Sequence, residues 1–93
     1  MLSFEWSEAK AELNRRKHGI GFADAVKAFG DPAICFLEDR SFPYGEVRVI
    51  ALGLSGFTLL TIVFTEREEI TRIISARRST KEEQRIYAQS NQK

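Results

Sequence analysis

Ninety-three residues make a single domain, residues 1–93, near the low end of the sizes that fold alone. An apolar content of 43% excludes general disorder. Nine Arg and five Lys stand against thirteen acids, a net charge of +1, so the chain is not a polybasic, non-specific nucleic-acid binder and any such site must be a local patch.

Phe4-Glu5-Trp6 reads as a short edge strand. Nothing around it has the basic start and apolar core of a signal peptide, and no apolar run approaches a membrane span, so a cytoplasmic protein is expected. Ser7 caps a helix running to about His18, with Glu8 at its positive end and Arg15, Arg16, Lys17 and His18 at its negative end. Gly19 is its natural stop. The apolar stripe of this helix is thin (Ala9, Ala11, Leu13), which predicts a surface helix. Phe22, Ala25, Val26 and Phe29 then fall at i, i+3, i+4 and i+7, one face of a second helix that Gly30-Asp31-Pro32 ends.

Ala33 to Leu37 reads as a strand containing Cys35. With apolar neighbours on both sides, that lone thiol is expected to be buried and structural. A polar loop from Glu38 to Gly45 follows. Two strong strands come next, Glu46 to Leu54 and Phe57 to Phe64, joined by the tight pair Ser55-Gly56. Phe57 to Phe64 is apolar on both faces, which predicts a central strand. Glu66-Arg67-Glu68-Glu69 reads as a turn into a last strand, Glu69 to Arg77. Thr80-x-x-Glu83 and Ser79-x-x-Glu82 are two possible capping boxes for a final helix ending near Gln89. The order β-α-α-β-β-β-β-α predicts an α+β fold, with helices on an antiparallel sheet, largely on one face, and the other face available for a ligand.

The last strand carries the chemistry. Ile70-Thr71-Arg72-Ile73-Ile74-Ser75-Ala76-Arg77-Arg78 loads a strand with guanidiniums, whose planar forks match phosphate oxygens. By alternation Thr71, Ile73, Ser75 and Arg77 share one side, and Arg72 shares the other with isoleucines. Either a bulge re-aims Arg72 or its stem runs to the rim. Arg77 and Arg78 precede a helix N-terminus, which also favours anions. The same arginines can instead pair with Glu66, Glu68, Glu69, Glu82 and Glu83. Arg77 and Arg72 are candidate contacts to a reacting phosphate. Arg48 and Arg78 are candidates for flanking phosphates, with Arg67, Lys17 and Tyr87 as further contacts. Glu66 and His18 are alternative proton-moving groups. One Cys and one His cannot build a zinc site, no Gly-rich phosphate loop is present, and the carboxylates lack metal-ligand spacing, so no metal or cofactor is expected.

Several of these segments occur together in one family. Phe4-Glu5-Trp6, Asn14 with Lys17-His18-Gly19, Phe22 with Ala25, Phe29-x-Asp31-Pro32, Tyr44-Gly45-Glu46-x-Arg48, Leu52-Gly53, Val63-x-Thr65-Glu66-Arg67 and Arg72 to Arg77 resemble the BrnT family in order and spacing, from about Phe4 to Tyr87. The resemblance implies a toxin of a bacterial type II toxin–antitoxin module, with a RelE-like fold and a metal-independent ribonuclease activity that arrests translation. It implies a BrnA-like antitoxin whose own domain binds operator DNA, in a complex of possible 2:2 composition. The chain departs from the family pattern at Glu68, where Gly after Arg67 is more usual, and at Gly21, where a Ser cap is. A non-catalytic binding module of the same fold is the alternative reading.

Overall fold

A computed structural model describes residues 3–39 and 47–91. The elements are β1 (Ser3–Glu5), α1 (Glu8–His18), α2 (Phe22–Ala28), β2 (Cys35–Asp39), β3 (Arg48–Ser55), β4 (Thr58–Arg67), β5 (Ile70–Arg78) and α3 (Lys81–Ser90). Their order is the one the sequence predicts. Most of the polar loop expected from Glu38 to Gly45, and the Tyr44-Gly45-Glu46 segment, lie outside the described residues.

The five strands form one sheet in the order β1-β5-β4-β3-β2. β2 through β5 pair antiparallel, as expected. β1 instead runs parallel to β5, with Ser3 opposite Ile70 and Glu5 opposite Arg72, so the sheet is mixed rather than antiparallel. β4 is central, as its two-sided apolar character demands. Leu60, Ile62 and Phe64 project from one side of it and are all buried. Burying each contributes roughly 1.5–3 kcal/mol.

That side packs against α1 and α2. Phe22, Ala25 and Ala28 of α2 join Ala51, Leu60, Ile62, Phe64, Ile73 and Ala76 in one core. Phe29 sits between Phe4 and Phe64, with both ring centroids 5.1 Å away. α2 lies close on β3: a Cβ at Gly53 would come within 2.7 Å of the Ala28 carbonyl oxygen, so a side chain there would force the layers apart. α1 is the surface helix expected, and Leu13 remains 64% exposed. Its one buried residue is Asn14. The Asn14 amide donates to the Ala76 and Ile20 carbonyls (2.8 and 3.0 Å) and accepts from the Ala76 N–H (3.2 Å). The side chain thus stands in for a strand at the outer edge of β5.

α3 does not join the other helices. It covers one end of the opposite face, over Leu52 and Thr61, both buried yet pointing away from the main core. The expectation that helices would bunch on one face holds for α1 and α2 only. The reason is the N-terminus of α3: Thr80 and Glu83 form the capping box, and the Glu83 carboxylate also accepts from the Thr61 hydroxyl on that face (2.9 Å).

Three local expectations shift. The β3–β4 loop is Gly56-Phe57, one residue later than expected, because Ser55 and Thr58 pair and Gly56 takes the positive φ (62°) of the first loop position. The β4–β5 turn is only Glu68-Glu69, so Glu66 and Arg67 belong to β4. Cys35 is half-buried rather than buried, because β2 is the outermost strand of the sheet.

Candidate active site

The pairing of β4 with β5 decides where the arginines point. Val63 lies opposite Ser75, but Phe64 lies opposite Ile73, leaving Ile74 as an extra residue. This bulge is one of the two devices expected for Arg72. It divides the strand differently from simple alternation. Thr71, Ile73 and Ala76 are buried, the two apolar residues among them facing the α1/α2 core. Arg72, Ser75 and Arg77 share the opposite face, the one that α3 covers only in part.

Two polar regions stand on that face. One is the α3 end. Arg77 donates from Nη1 and Nη2 to the two Glu83 carboxylate oxygens, each at 2.8 Å. Glu83 also accepts from the Thr80 N–H (2.8 Å) and the Thr61 hydroxyl, and Thr61 Oγ1 lies 2.7 Å from Ser79 Oγ. The Arg77 guanidinium, with these further donors, outweighs burial and holds Glu83 down to about 2. In return the Glu83 hydrogen bonds raise Arg77 above its ordinary value, against the opposing effect of burial. The Glu83 side chain is 17% exposed and that of Arg77 is 39% exposed, so the carboxylate sits beneath and the guanidinium faces outward.

The other region lies across the far end of the face. Arg48 begins β3 on this side, next to Thr65 of β4 and, beyond it, Arg72 of β5. Arg67 projects from the same side of β4. Arg72 donates to Glu5 of β1 at 2.5 Å, and both side chains are nearly half exposed, so water screens the pair. A cleft of about 410 Å³ opens here, lined by Glu5, Thr65, Arg67, Glu68, Ile70 and Arg72.

The remaining candidates lie elsewhere. Glu66 alternates with Thr65 and Arg67, so it points to the other side of the sheet and is exposed. Arg78 turns away from Arg77, as alternation requires, and Nη1 reaches the His18 carbonyl at the end of α1 (3.4 Å). His18 and Lys17 line a groove of about 580 Å³ between α1 and the β5 edge, together with Ser75. Tyr87 donates its hydroxyl to Asp31 at 2.6 Å, so it is not free to bind a phosphate. That bond, helped by burial, pushes Tyr87 up to about 12. Burial works to raise Asp31, but donors from Tyr87, Leu54 and Ala33 outweigh it and draw Asp31 below its usual value. Among the described residues no three His, Cys, Asp or Glu side chains gather as metal ligands, and no helix is long and apolar enough to cross a membrane.

Two residues of this arrangement carried little signal. Glu83 reads as a helix cap and as one of five glutamates that could pair with the arginines, and nothing local singles it out as the one that grips Arg77. Asn14 has one cue, a poor helix former in mid-helix.

The family model described as the ribonuclease toxin BrnT of type II toxin–antitoxin systems matches residues 6–83. The match takes in every arginine of the face just described and stops short of Tyr87. No curated protein matches the chain.

Proposed function

Because the chain belongs to the BrnT family of type II toxin–antitoxin ribonuclease toxins, we propose that it cleaves RNA on the sheet face that carries Arg48, Arg67, Arg72 and Arg77. The observation that carries this reading is the way Arg77 is held. A guanidinium has five donors in a planar fork. Glu83 occupies the Nη1/Nη2 end of Arg77, and among the described residues the Nε–H and the second Nη2–H meet no partner. That side-on edge is a second fork. Arg77 can therefore keep Glu83 and take a phosphate at once, already oriented.

The proposed reaction uses the RNA's own 2′-hydroxyl and no metal. The 2′-oxygen loses its proton and bonds to the adjacent phosphorus, the bond from phosphorus to the 5′-oxygen breaks, and that oxygen takes up a proton. The products are a 2′,3′-cyclic phosphate and a 5′-hydroxyl. Arg77 and Arg72 stabilise the negative charge that gathers on the phosphoryl oxygens. Arg48, Arg67, Arg78 and Lys17 hold flanking phosphates. His18 is the better placed of the two proton-moving candidates, because its groove meets the active face at Ser75 while Glu66 points away. The fold is proposed to be RelE-like, and the protein to act in the cytoplasm, blocking translation. Its proposed partner is a BrnA-like antitoxin in a 2:2 complex, touching operator DNA only through that antitoxin.

The ion pairs Arg72–Glu5 and Arg77–Glu83 equally suit a non-catalytic binding module, so the test must separate the two. Expression of the protein alone should arrest growth, and the purified protein should cut RNA in EDTA, leaving cyclic ends. Arg77→Ala should lower the single-turnover rate about a hundredfold with affinity little changed, the usual loss for a transition-state donor. Arg78→Ala should weaken binding modestly, in a way that fades as salt is raised. Arg77→Lys should rescue poorly, since a point charge lacks the second edge. Equal, salt-sensitive losses at positions 77 and 78 would reduce the face to a binding patch. Normal growth at verified expression, with no cleavage, would leave the non-catalytic module.

A further inference from the structure

The β3–β4 turn ends in an aromatic side chain that the fold does not use. Phe57 is fully exposed (106%), at the second position of a two-residue loop where Gly56 supplies the turn conformation. A polar residue would close the hairpin as well. Phe57 is not an isolated surface apolar group. It borders a groove of about 460 Å³ between the turn and α3, floored by Leu54 and Leu59 and walled by Tyr87. Leu54 is itself 38% exposed.

Two polar groups stand at the rim. Gln84 donates through Nε2 to the Ser79 carbonyl (3.3 Å), which fixes its amide, and its oxygen has no partner among the described residues. Arg78 borders the same groove and is exposed. The Tyr87 ring cannot swing, because its hydroxyl is tied to Asp31. An apolar slot with one rigid aromatic wall, one free aromatic side chain, one acceptor and one cation suits a flat heterocycle. It is also continuous with the arginine face, since Ser79 lines the groove and its hydroxyl meets Thr61, which donates to Glu83.

We infer that this groove is a nucleobase subsite, in which Phe57 stacks on one unpaired base of the RNA that the arginine face holds. The inference rests on the RNA-cleaving reading. It makes Phe57 a substrate-positioning residue and Tyr87 a fixed wall rather than a phosphate contact. The base is held by its π-face and its strand by Arg78 at the rim of the groove.

The test uses single-stranded oligoribonucleotides made uncleavable by 2′-deoxy substitution, each with 2-aminopurine at one position of a scanned series. In the wild type, one position should show the fluorescence change of a stacked base. Phe57→Ala should abolish that change and weaken binding about tenfold, the usual effect of removing one stacking aromatic. Phe57→Trp should preserve it. The salt dependence of binding should be unaltered by either, because no charge is lost. Phe57 touches no core residue, so both variants should fold, which circular dichroism checks. Wild-type binding with the same signal and affinity in Phe57→Ala would overturn the subsite and leave the arginine face standing. No RNA binding by the wild type at any salt concentration would overturn both. If Phe57→Ala weakens antitoxin binding but leaves oligonucleotide binding unchanged, the groove is a protein-docking patch and the inference fails.

Discussion

Arg77 and Glu83 give the site a pH signature at the scale of single side chains. Glu83 titrates at about 2 in the fold against an ordinary 4.5. A depressed carboxylate adds stability that is fully present above its unfolded value and is lost as pH falls through its folded value. The window is therefore about pH 4.5 down to about 2. The shift corresponds to stabilisation on the order of 3 kcal/mol. Glu83→Gln should remove most of that pH dependence and lower stability at neutral pH, because the Arg77 fork loses its charged partner. Denaturant unfolding at pH 7, 4 and 2.5 measures it. Parallel curves for wild type and variant would show that the pair contributes nothing to folding. Tyr87 has the opposite sign: raised to about 12, it adds stability present below pH 10 and lost as pH climbs through 12.

At the scale of elements, the β4–β5 hairpin turns through two glutamates, Glu68 and Glu69, with φ of 52° and 69°. Left-handed backbone costs a side-chain-bearing residue about 1–2 kcal/mol. Replacing the pair with Asn-Gly, the preferred chemistry for such a loop, should raise stability by about 1 kcal/mol and the Tm by about 4–8 °C. It also takes a carboxylate from the cleft beside Arg67 and Arg72, so RNA should bind more tightly at low salt. Thermal unfolding with a binding titration checks both, and an unchanged Tm would mean that the turn is unstrained. Much of the element pattern was legible because its signals are local. The two apolar sides of β4, the Thr80–Glu83 box and the Gly30-Asp31-Pro32 stop each lie within a few residues. For Arg72 the sequence offers a bulge or a stem run to the rim and cannot choose, because counting by twos cannot place an extra residue; the Ile74 bulge exists only relative to β4. The loop slipped by one residue for a similar reason, since Gly suits either loop position and the Ser55–Thr58 pairing chooses between them.

At the scale of the whole molecule, what escaped the sequence were contacts between distant segments: the parallel pairing of β1 and the role of Asn14. Asn14 binds Ala76 across 62 positions and satisfies three buried backbone groups. Asn14→Ala orphans all three, and about 1–3 kcal/mol for each unsatisfied group makes a loss of about 3 kcal/mol or more reasonable. Asn14→Asp keeps the acceptor but sets a carboxylate against two carbonyls, so it should be no milder. Denaturant midpoints decide it, and a loss under about 1 kcal/mol would mean that water replaces the amide. The β1–β5 pairing bears on time rather than strength. β3, β4 and β5 are successive hairpins and can zip locally, whereas Phe4 must wait for Thr71. Closing so long a loop is the slow step of such a topology. The arginine face is also assembled late, because Arg72, Arg77 and Glu83 follow the first four strands in synthesis. A nascent polypeptide lacking them has no assembled site, so the ribosome making this protein must have read past the codon for Glu83 before the product could act on RNA.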